Sequence, residues 1–86
     1  MGSYRVELTR SAEKDLRKID RSRVATIVKE LESLVSEPRP SGVKKLVGAE
    51  KTYRIRIGDY RVVYEIRDDV MIVLVIRIAH RRDVYR

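Results

Sequence analysis

Two strand-like runs joined by a glycine-led turn limit the fold more than any other feature of this chain. In the stretch YRIRIGDYRVVYE (53–65), apolar and polar residues alternate on both sides of Gly58 and Asp59. Glycine in the first place suits a two-residue hairpin turn, because it adopts a positive φ without steric cost. The stretch therefore predicts a β-hairpin.

The register of that hairpin would place three arginines on one face. With a two-residue turn, Ile57 pairs with Tyr60 and Arg56 with Arg61, and paired residues point to the same side. Arg54 lies two residues before Arg56 and shares its face. Like charges across a ladder repel by about 0.2–1 kcal/mol, which a bound anion would offset. A solvated face whose arginine stems cover apolar surface is the alternative interpretation.

The remaining sequence predicts a strand and two helices before the hairpin, and one strand after it. YRVEL alternates like a half-buried strand, and Thr9 or Ser11 can cap a first helix. Asp20 can cap a second helix, which Pro38 and Pro40 end. Its apolar stripe comprises Val24, Ile27, Val28, Leu31, Leu34 and Val35. The predicted fold is α+β: one domain over residues 1–86, with an antiparallel helix pair packed on an antiparallel sheet in the order βααβββ.

The last run, VMIVLVIRIAH, is apolar on both faces and therefore belongs in the middle of the sheet. Asp68 and Asp69 before it suggest a second two-residue turn, which would set Arg61 opposite Ile76. Strict alternation from that turn puts His80 on the face of Arg61 and Arg81 on the other face. A β-bulge would exchange these two positions.

The charge balance narrows the class of partner. Twenty Lys and Arg against thirteen Asp and Glu give a formal charge of +7, which favours nucleic acid, an anionic membrane or an acidic protein. The chain has no cysteine and one histidine, so we expect no structural metal and no cofactor. Apolar runs are too short to span a membrane, and we expect a cytoplasmic protein.

Further basic residues stand where they could join the arginine face. The ending RIAHRRDVYR carries His80, Arg81, Arg82, Tyr85 and Arg86. Lys44 and Lys45 are candidates for phosphate contact, or else a solvated pair. Glu65 shares the arginine face, either as a base or, more in keeping with its surroundings, as an ion-pair partner that moderates the repulsion.

The sequence resembles the RelE/ParE superfamily of toxins from toxin–antitoxin pairs. The likeness covers nearly the whole chain and rests on the order of strand, helix pair, KLVG, YRIRIGDYRVVYEI and HRRDVY. The ending IAHRRDVY, with its tyrosine, resembles the RelE branch of the superfamily more than the ParE branch. This resemblance implies a microbial RNase-like fold and an endoribonuclease (mRNA interferase) that cuts mRNA in the ribosomal A site, leaving a 2′,3′-cyclic phosphate.

The resemblance also implies roles for individual residues. Arg54, Arg56 and Arg61 match basic residues of the family's hairpin, while Arg81 and Tyr85 match its ending. Arg61 and Arg81 suit stabilisation of the phosphorane, because guanidinium binds two phosphate oxygens at once. The best-known RelE has lysines at the first two positions, and arginine keeps its proton, so neither is a plausible base. Tyr85 and His80 remain as acid–base candidates.

Two other functions stay open on the sequence. One is a ParE-like inhibitor of DNA gyrase; the other is a nucleic-acid-binding relic of the toxin fold without catalysis. The resemblance further implies a heteromeric complex with an acidic, RelB-like antitoxin, and the positive charge of the chain agrees with such a partner.

Overall fold

A computed structural model describes residues 3–80 and contains the predicted elements in the predicted order, with one further two-residue strand before the hairpin. They are β1 (Arg5–Leu8), α1 (Arg10–Arg17), α2 (Arg21–Ser33), β2 (Lys44–Lys45), β3 (Thr52–Ile57), β4 (Tyr60–Arg67) and β5 (Ile72–His80). The α+β class and the position of the helix pair between the first strand and the hairpin are confirmed.

The strands form one five-stranded sheet in the order β1-β5-β4-β3-β2. β1 pairs in parallel with β5, while the other neighbours are antiparallel. The sheet is thus mixed, where an antiparallel one was expected. The period of two that marks a strand is the same in both directions, so the sequence pattern does not reveal the direction of pairing. β5 lies inside the sheet, as its apolar composition predicts.

The two helices cover one face of the sheet, and the core lies between the helices and that face. Thr9 caps α1 with its side chain, which accepts from the N–H of Ala12. Asp20 precedes α2 as predicted but makes no side-chain cap bond. Eleven apolar residues of the described part are buried and form the core, namely Ala12, Ile27, Leu31, Leu34, Ile57, Val62, Tyr64, Ile66, Val73, Val75 and Ile78. Neither helix is long and apolar enough to cross a membrane.

The connection between β4 and β5 is longer than predicted. Arg67 pairs with Ile72, so residues 68–71 form the turn, and Met71 has a φ of 55°. The predicted two-residue turn at Asp68 and Asp69 is wrong. Neither aspartate fixes a turn type as firmly as glycine does, and the positive φ falls on a methionine, which gives no sequence signal for it.

A β-bulge shifts the second half of β5 by one residue. Ile76 is the extra residue, inserted after the pair formed by Tyr64 and Val75. Beyond the bulge Arg61 lies opposite Ala79, so the prediction that it lies opposite Ile76 is wrong. A bulge reverses which residues of a strand face each side of the sheet.

Candidate nucleic-acid interface

β3 and β4 form the predicted hairpin in the predicted register. Arg56 pairs with Arg61, and Arg54 lies two residues before Arg56 on the same strand. Gly58 begins the turn with a φ of 60°, which favours glycine. Ile57 alternates with these arginines and is buried beneath the helices. The three arginines therefore lie on the sheet face away from the helices, which we call the outer face.

β2 adds a lysine to this arginine row. Lys44 pairs with Arg54, whereas Lys45 pairs with Tyr53. Because paired residues share a face, Lys44 lies with the arginines and Lys45 lies on the helix side. A groove of about 420 Å³ runs between these side chains, and we call it the basic groove. It is lined by Gly42, Lys44, Arg54, Ile55, Arg56 and Arg61.

Gly42 is a groove residue that the sequence analysis did not single out. Its φ is 90°, and the N–H of Val43 donates to the carbonyl of Pro40 at 3.1 Å. The glycine thus occupies the third position of a tight turn, where a positive φ is required. The signal in the sequence was the pair Ser41-Gly42 after proline, which is typical of such turns.

Among residues 3–80, the carboxylates stand apart from Arg54 and Arg56 of the groove. Glu65 lies on the outer face, but its Oε1 accepts from Nε of Arg67 at 2.6 Å. Glu65 therefore forms its ion pair with Arg67, whereas the sequence was interpreted as pairing it with the arginine row. Within residues 3–80, no carboxylate lies at ion-pair distance from Arg54 or Arg56. Nε of Arg56 donates to the carbonyl of Gly58 at 3.2 Å.

This geometry suits a phosphate group. Several guanidinium forks on one face present paired N–H donors that match the oxygens of a phosphate. An anion in the groove would relieve the repulsion between Arg56 and Arg61, which face one another across the ladder. The outer face is covered by neither helix, so an extended polyanion could follow it.

His80 lies away from the basic groove. It pairs with Tyr60, and the two rings meet edge to face with centroids 5.2 Å apart. Tyr60 in turn pairs with the buried Ile57, which places both rings on the helix side of the sheet. Strict alternation would have put His80 on the face of Arg61. The bulge at Ile76, an alternative that the sequence left open, reverses the alternation and puts His80 on the other face.

The other predicted residues of the chain ending are Arg81, Arg82, Tyr85 and Arg86, and they lie outside the described residues. Their roles stay predictions. Among the described tyrosines, Tyr53, Tyr60 and Tyr64 lie on the helix side of the sheet. Burial raises the pKa of Tyr64 to about 12, although the nearby Arg39 charge lowers it. Tyr64 therefore cannot exchange protons with a ligand in the groove.

A polar cluster that the sequence analysis missed joins residues from four segments of the chain. Asp68 accepts from both terminal nitrogens of Arg39, at 3.3 and 2.8 Å, and from the hydroxyl of Tyr4. Nε of Arg39 donates to the Tyr53 hydroxyl at 3.3 Å. Hydrogen bonds from Arg39, and then from Tyr4, lower the pKa of Asp68. The cluster stabilises the fold and presents no reactive group.

An apolar groove of about 500 Å³ lies beside the edge strand β1. Its walls come from β1 and α2, and Val28 in α2 leaves 37% of its surface exposed. The apolar side chains in this groove are Val6, Leu8, Val28, Leu31 and Val35. β1 has a strand neighbour on one side only, so this groove borders an open sheet edge.

Several known proteins are similar to this chain in sequence and in fold. Residues 6–85 match a family described as the ParE toxin of type II toxin–antitoxin system, parDE. The toxin RelG of Mycobacterium tuberculosis is 33% identical over 84 residues, covering 96% of this chain and 97% of that protein.

Two solved toxin–antitoxin complexes contain a similar chain. One is the archaeal RelE–RelB complex from Pyrococcus horikoshii OT3, with a TM-score of 0.81 and 28% identity over 91% of this chain and 94% of that one. The other is the complex RelBE2 from Mycobacterium tuberculosis, with a TM-score of 0.82 and 32% identity over 92% of this chain and 99% of that one.

Proposed function

The chain belongs to the RelE/ParE superfamily of type II toxins, in the RelE branch, and on that premise we propose that it is a ribosome-dependent mRNA endonuclease. The basic groove is the observation that carries this proposal. Its four cations lie on an outer face that no helix covers, where a single-stranded phosphate backbone has room to bind. A ribosomal target also makes the cytoplasm the proposed location.

The proposed reaction is an internal transfer of phosphate. The 2′-oxygen of one nucleotide bonds to the adjacent phosphorus while the bond from phosphorus to the 5′-oxygen breaks. A base removes the proton of the 2′-hydroxyl, and an acid returns a proton to the departing 5′-oxygen. Arg61, with Arg54 and Arg56 beside it, would hold the phosphate oxygens as negative charge grows on them.

The acid and the base are proposed from the resemblance to the family and not from the positions of the described residues. Arginine keeps its proton at neutral pH, so the groove itself stabilises charge without transferring protons. His80 makes its ring contact with Tyr60 on the helix side. We therefore favour Tyr85 as the proton-transfer residue, with Arg81 as a further phosphate ligand.

Cleavage of a labelled mRNA in a reconstituted translation mixture tests the proposal. We expect cuts only when ribosomes are present, and 3′ ends that resist phosphatase until acid opens the cyclic phosphate. Replacing Arg61 with Ala should slow cleavage about 10²- to 10³-fold, as loss of one donor to a developing oxyanion commonly does. Arg61→Lys, which keeps the charge but loses the fork, should fall in between.

Arg21→Ala is a matched control, because Arg21 is an exposed arginine in the first turn of α2. It should cleave at the wild-type rate. Intact mRNA with the wild-type protein would rule out the nuclease. Binding of RNA without any cleavage would instead support the non-catalytic relic of the fold.

The family match itself favours a second candidate, inhibition of DNA gyrase, because the matching profile is that of the ParE toxin. In that case purified gyrase should lose supercoiling activity on addition of the protein, while mRNA stays intact. The two activities are separated by running both assays on one preparation.

The solved relatives are RelE–RelB and RelBE2 complexes, and we propose a RelB-like antitoxin as the partner of this chain. Its charge of +7 suits an acidic partner, and the apolar groove beside β1 offers a surface for apolar side chains. Val28→Asp would place a charge in that groove. We expect it to weaken antitoxin binding at least tenfold and to leave mRNA cleavage unchanged.

A further inference from the structure

β5 loses its strand neighbour on one side halfway along its length. Leu8 is the last residue of β1 and pairs with Val75. Residues 76–80 of β5 continue beyond it; Ile76 is the bulge residue, and residues 77–80 pair on the other side with β4. An unpaired strand edge leaves backbone donors and acceptors to be satisfied by other groups. In this protein α1 and its cap provide those groups.

Thr9 holds the bulge residue itself. Its N–H donates to the carbonyl of Val75 at 2.9 Å, and its hydroxyl donates to the carbonyl of Ile76 at 2.9 Å. The same hydroxyl accepts from the N–H of Ala12 at 3.1 Å, where it caps α1. One side chain thus joins the start of a helix to the extra residue of a strand.

Asp15 satisfies the next group along the same edge. Its Oδ2 accepts from the N–H of Ile78 at 2.9 Å and from Nε of Arg77 at 3.2 Å. The Asp15 side chain is only 15% exposed, so water competes poorly for that oxygen. The carboxylate therefore takes the place that a carbonyl of a neighbouring strand would have.

The bulge decides which side chain lies next to Arg61. If the pairs near the β4–β5 turn continued without the extra residue, Ile78 would lie opposite Arg61 and Arg77 opposite the buried Val62. With the bulge, Ile78 is buried and the small Ala79 lies opposite Arg61. The groove side of β5 thereby carries a methyl group beside Arg61 in place of a branched side chain.

We propose that Thr9 and Asp15 are positioning residues of the basic groove. By holding the bulge at Ile76 they keep Ala79 beside Arg61 and set the register in which β5 passes the site. Neither residue touches the ligand. The effect on cleavage rests on the proposed nuclease function, whereas the effect on register does not.

The register is measured by NMR on the folded protein. In the wild type we expect cross-strand contacts between the backbone protons of Arg61 and Ala79, and slow hydrogen exchange at the Ile78 amide. Asp15→Ala should weaken those contacts and speed exchange at Ile78 at least tenfold. Asp15→Asn, which keeps an oxygen acceptor, should retain the wild-type register. Glu13→Ala removes an exposed carboxylate from the same helix and should change nothing.

Thr9 gives a second pair of variants if Asp15→Ala does not fold. Thr9→Ser keeps the hydroxyl and should behave as the wild type. Thr9→Val keeps the branched shape without the hydroxyl, and should release the Ile76 carbonyl and weaken the contact between Arg61 and Ala79. Unchanged contacts and exchange in both Asp15→Ala and Thr9→Val would overturn the proposal.

Cleavage kinetics and oligonucleotide affinity are both measured, so that the nuclease proposal and the positioning proposal can fail separately. Misplacing a site by about 1 Å commonly costs about 10²-fold in rate, and we expect Asp15→Ala to lower kcat ten- to a hundredfold and to raise KM only several-fold. Its affinity for a non-cleavable 2′-deoxy oligonucleotide should fall several-fold. A wild type that binds but never cuts defeats the nuclease alone. An altered register with wild-type binding and cleavage defeats the positioning role.

Discussion

Arg39 is the residue on which the contacts of the polar cluster around Asp68 converge. Its guanidinium binds Asp68 through two nitrogens and the Tyr53 hydroxyl through the third, and it lies 5.2 Å above the Tyr53 ring. Asp68 also accepts from Tyr4. These few atoms join four parts of the chain: the residue before β1, the segment after α2, β3 and the β4–β5 turn.

This cluster makes stability depend on pH in acid. The Asp68 carboxylate has a pKa below its ordinary value of 3.8, chiefly because Arg39 and then Tyr4 donate to it. A carboxylate of that kind stabilises the fold above its unfolded pKa, and the contribution is lost as the pH falls through the lower folded pKa. We expect Asp68→Asn to be less stable than the wild type at neutral pH and the difference to vanish in acid.

Urea unfolding at neutral and acidic pH measures that difference. Asp69→Asn is the control, because Asp69 lies in the same turn and makes no hydrogen bond to Arg39 among the described residues. A difference for Asp68→Asn that persisted at low pH would show that the carboxylate acts by packing and not by its charge.

Tyr64 makes the stability of the protein depend on pH in alkaline solution. It is fully buried, its hydroxyl donates to the carbonyl of Pro38 at 2.9 Å, and burial raises its pKa to about 12. A raised pKa contributes stability below the unfolded value of 10.0, and the contribution is lost as the pH rises towards about 12. Tyr64→Phe should cost about 1–2 kcal/mol near neutral pH.

Thermal unfolding of Tyr64→Phe from neutral to alkaline pH checks this expectation. The alkaline decrease in stability should be smaller in the variant than in the wild type, since the buried phenol is gone. A decrease of equal size in both proteins would assign the alkaline transition to other tyrosines.

The β-strands and turns show where sequence reasoning succeeds at the scale of elements. Gly58 marked one turn by its place between two alternating runs, and with it the faces of Arg54, Arg56 and Arg61. The apolar run of β5 correctly predicted a central strand. Those features depend on short-range chemistry, which adjacent residues determine.

Other features depend on contacts that are distant in sequence. The bulge is held by Thr9 and Asp15, more than sixty residues before it, and nothing in the local pattern at Ile76 indicates it. The sequence therefore left the face of His80 open between strict alternation and a bulge. The parallel pairing of β1, and the path that brings Lys44 beside Arg54, are likewise settled by packing and not by periodicity.

The two hairpin turns predict opposite effects of substitution. Gly58→Ala puts a side chain at a φ of 60° and should destabilise the protein by about 1–2 kcal/mol. Met71→Gly relieves a methionine at a φ of 55° and should raise the melting temperature. Both effects are measured by thermal unfolding. Equal losses in both variants would mean that the Met71 side chain stabilises the turn more than its backbone strain costs.

Part of the positive charge of the molecule lies where a polyanion would bind. Four cations line the basic groove, and each phosphate neutralised on a single strand contributes about −0.7 to the slope of log affinity against log salt. We expect a slope of about −3 for a 2′-deoxy oligonucleotide. Lys44→Ala should make it shallower by about 0.7, whereas Lys45→Ala should not, because Lys45 lies on the helix side. Equal effects of both would mean that binding follows net charge and not the groove.

The order of strands in the sheet also has a consequence for biosynthesis. The first strand of the chain pairs with β5, which is made after every other element. Until β5 has been synthesised, β1 has no strand to pair with. The sheet then lacks an interior strand, so the core cannot form. A growing copy would thus stay unfolded until β5 has been synthesised, and any activity that depends on the fold would arise only then.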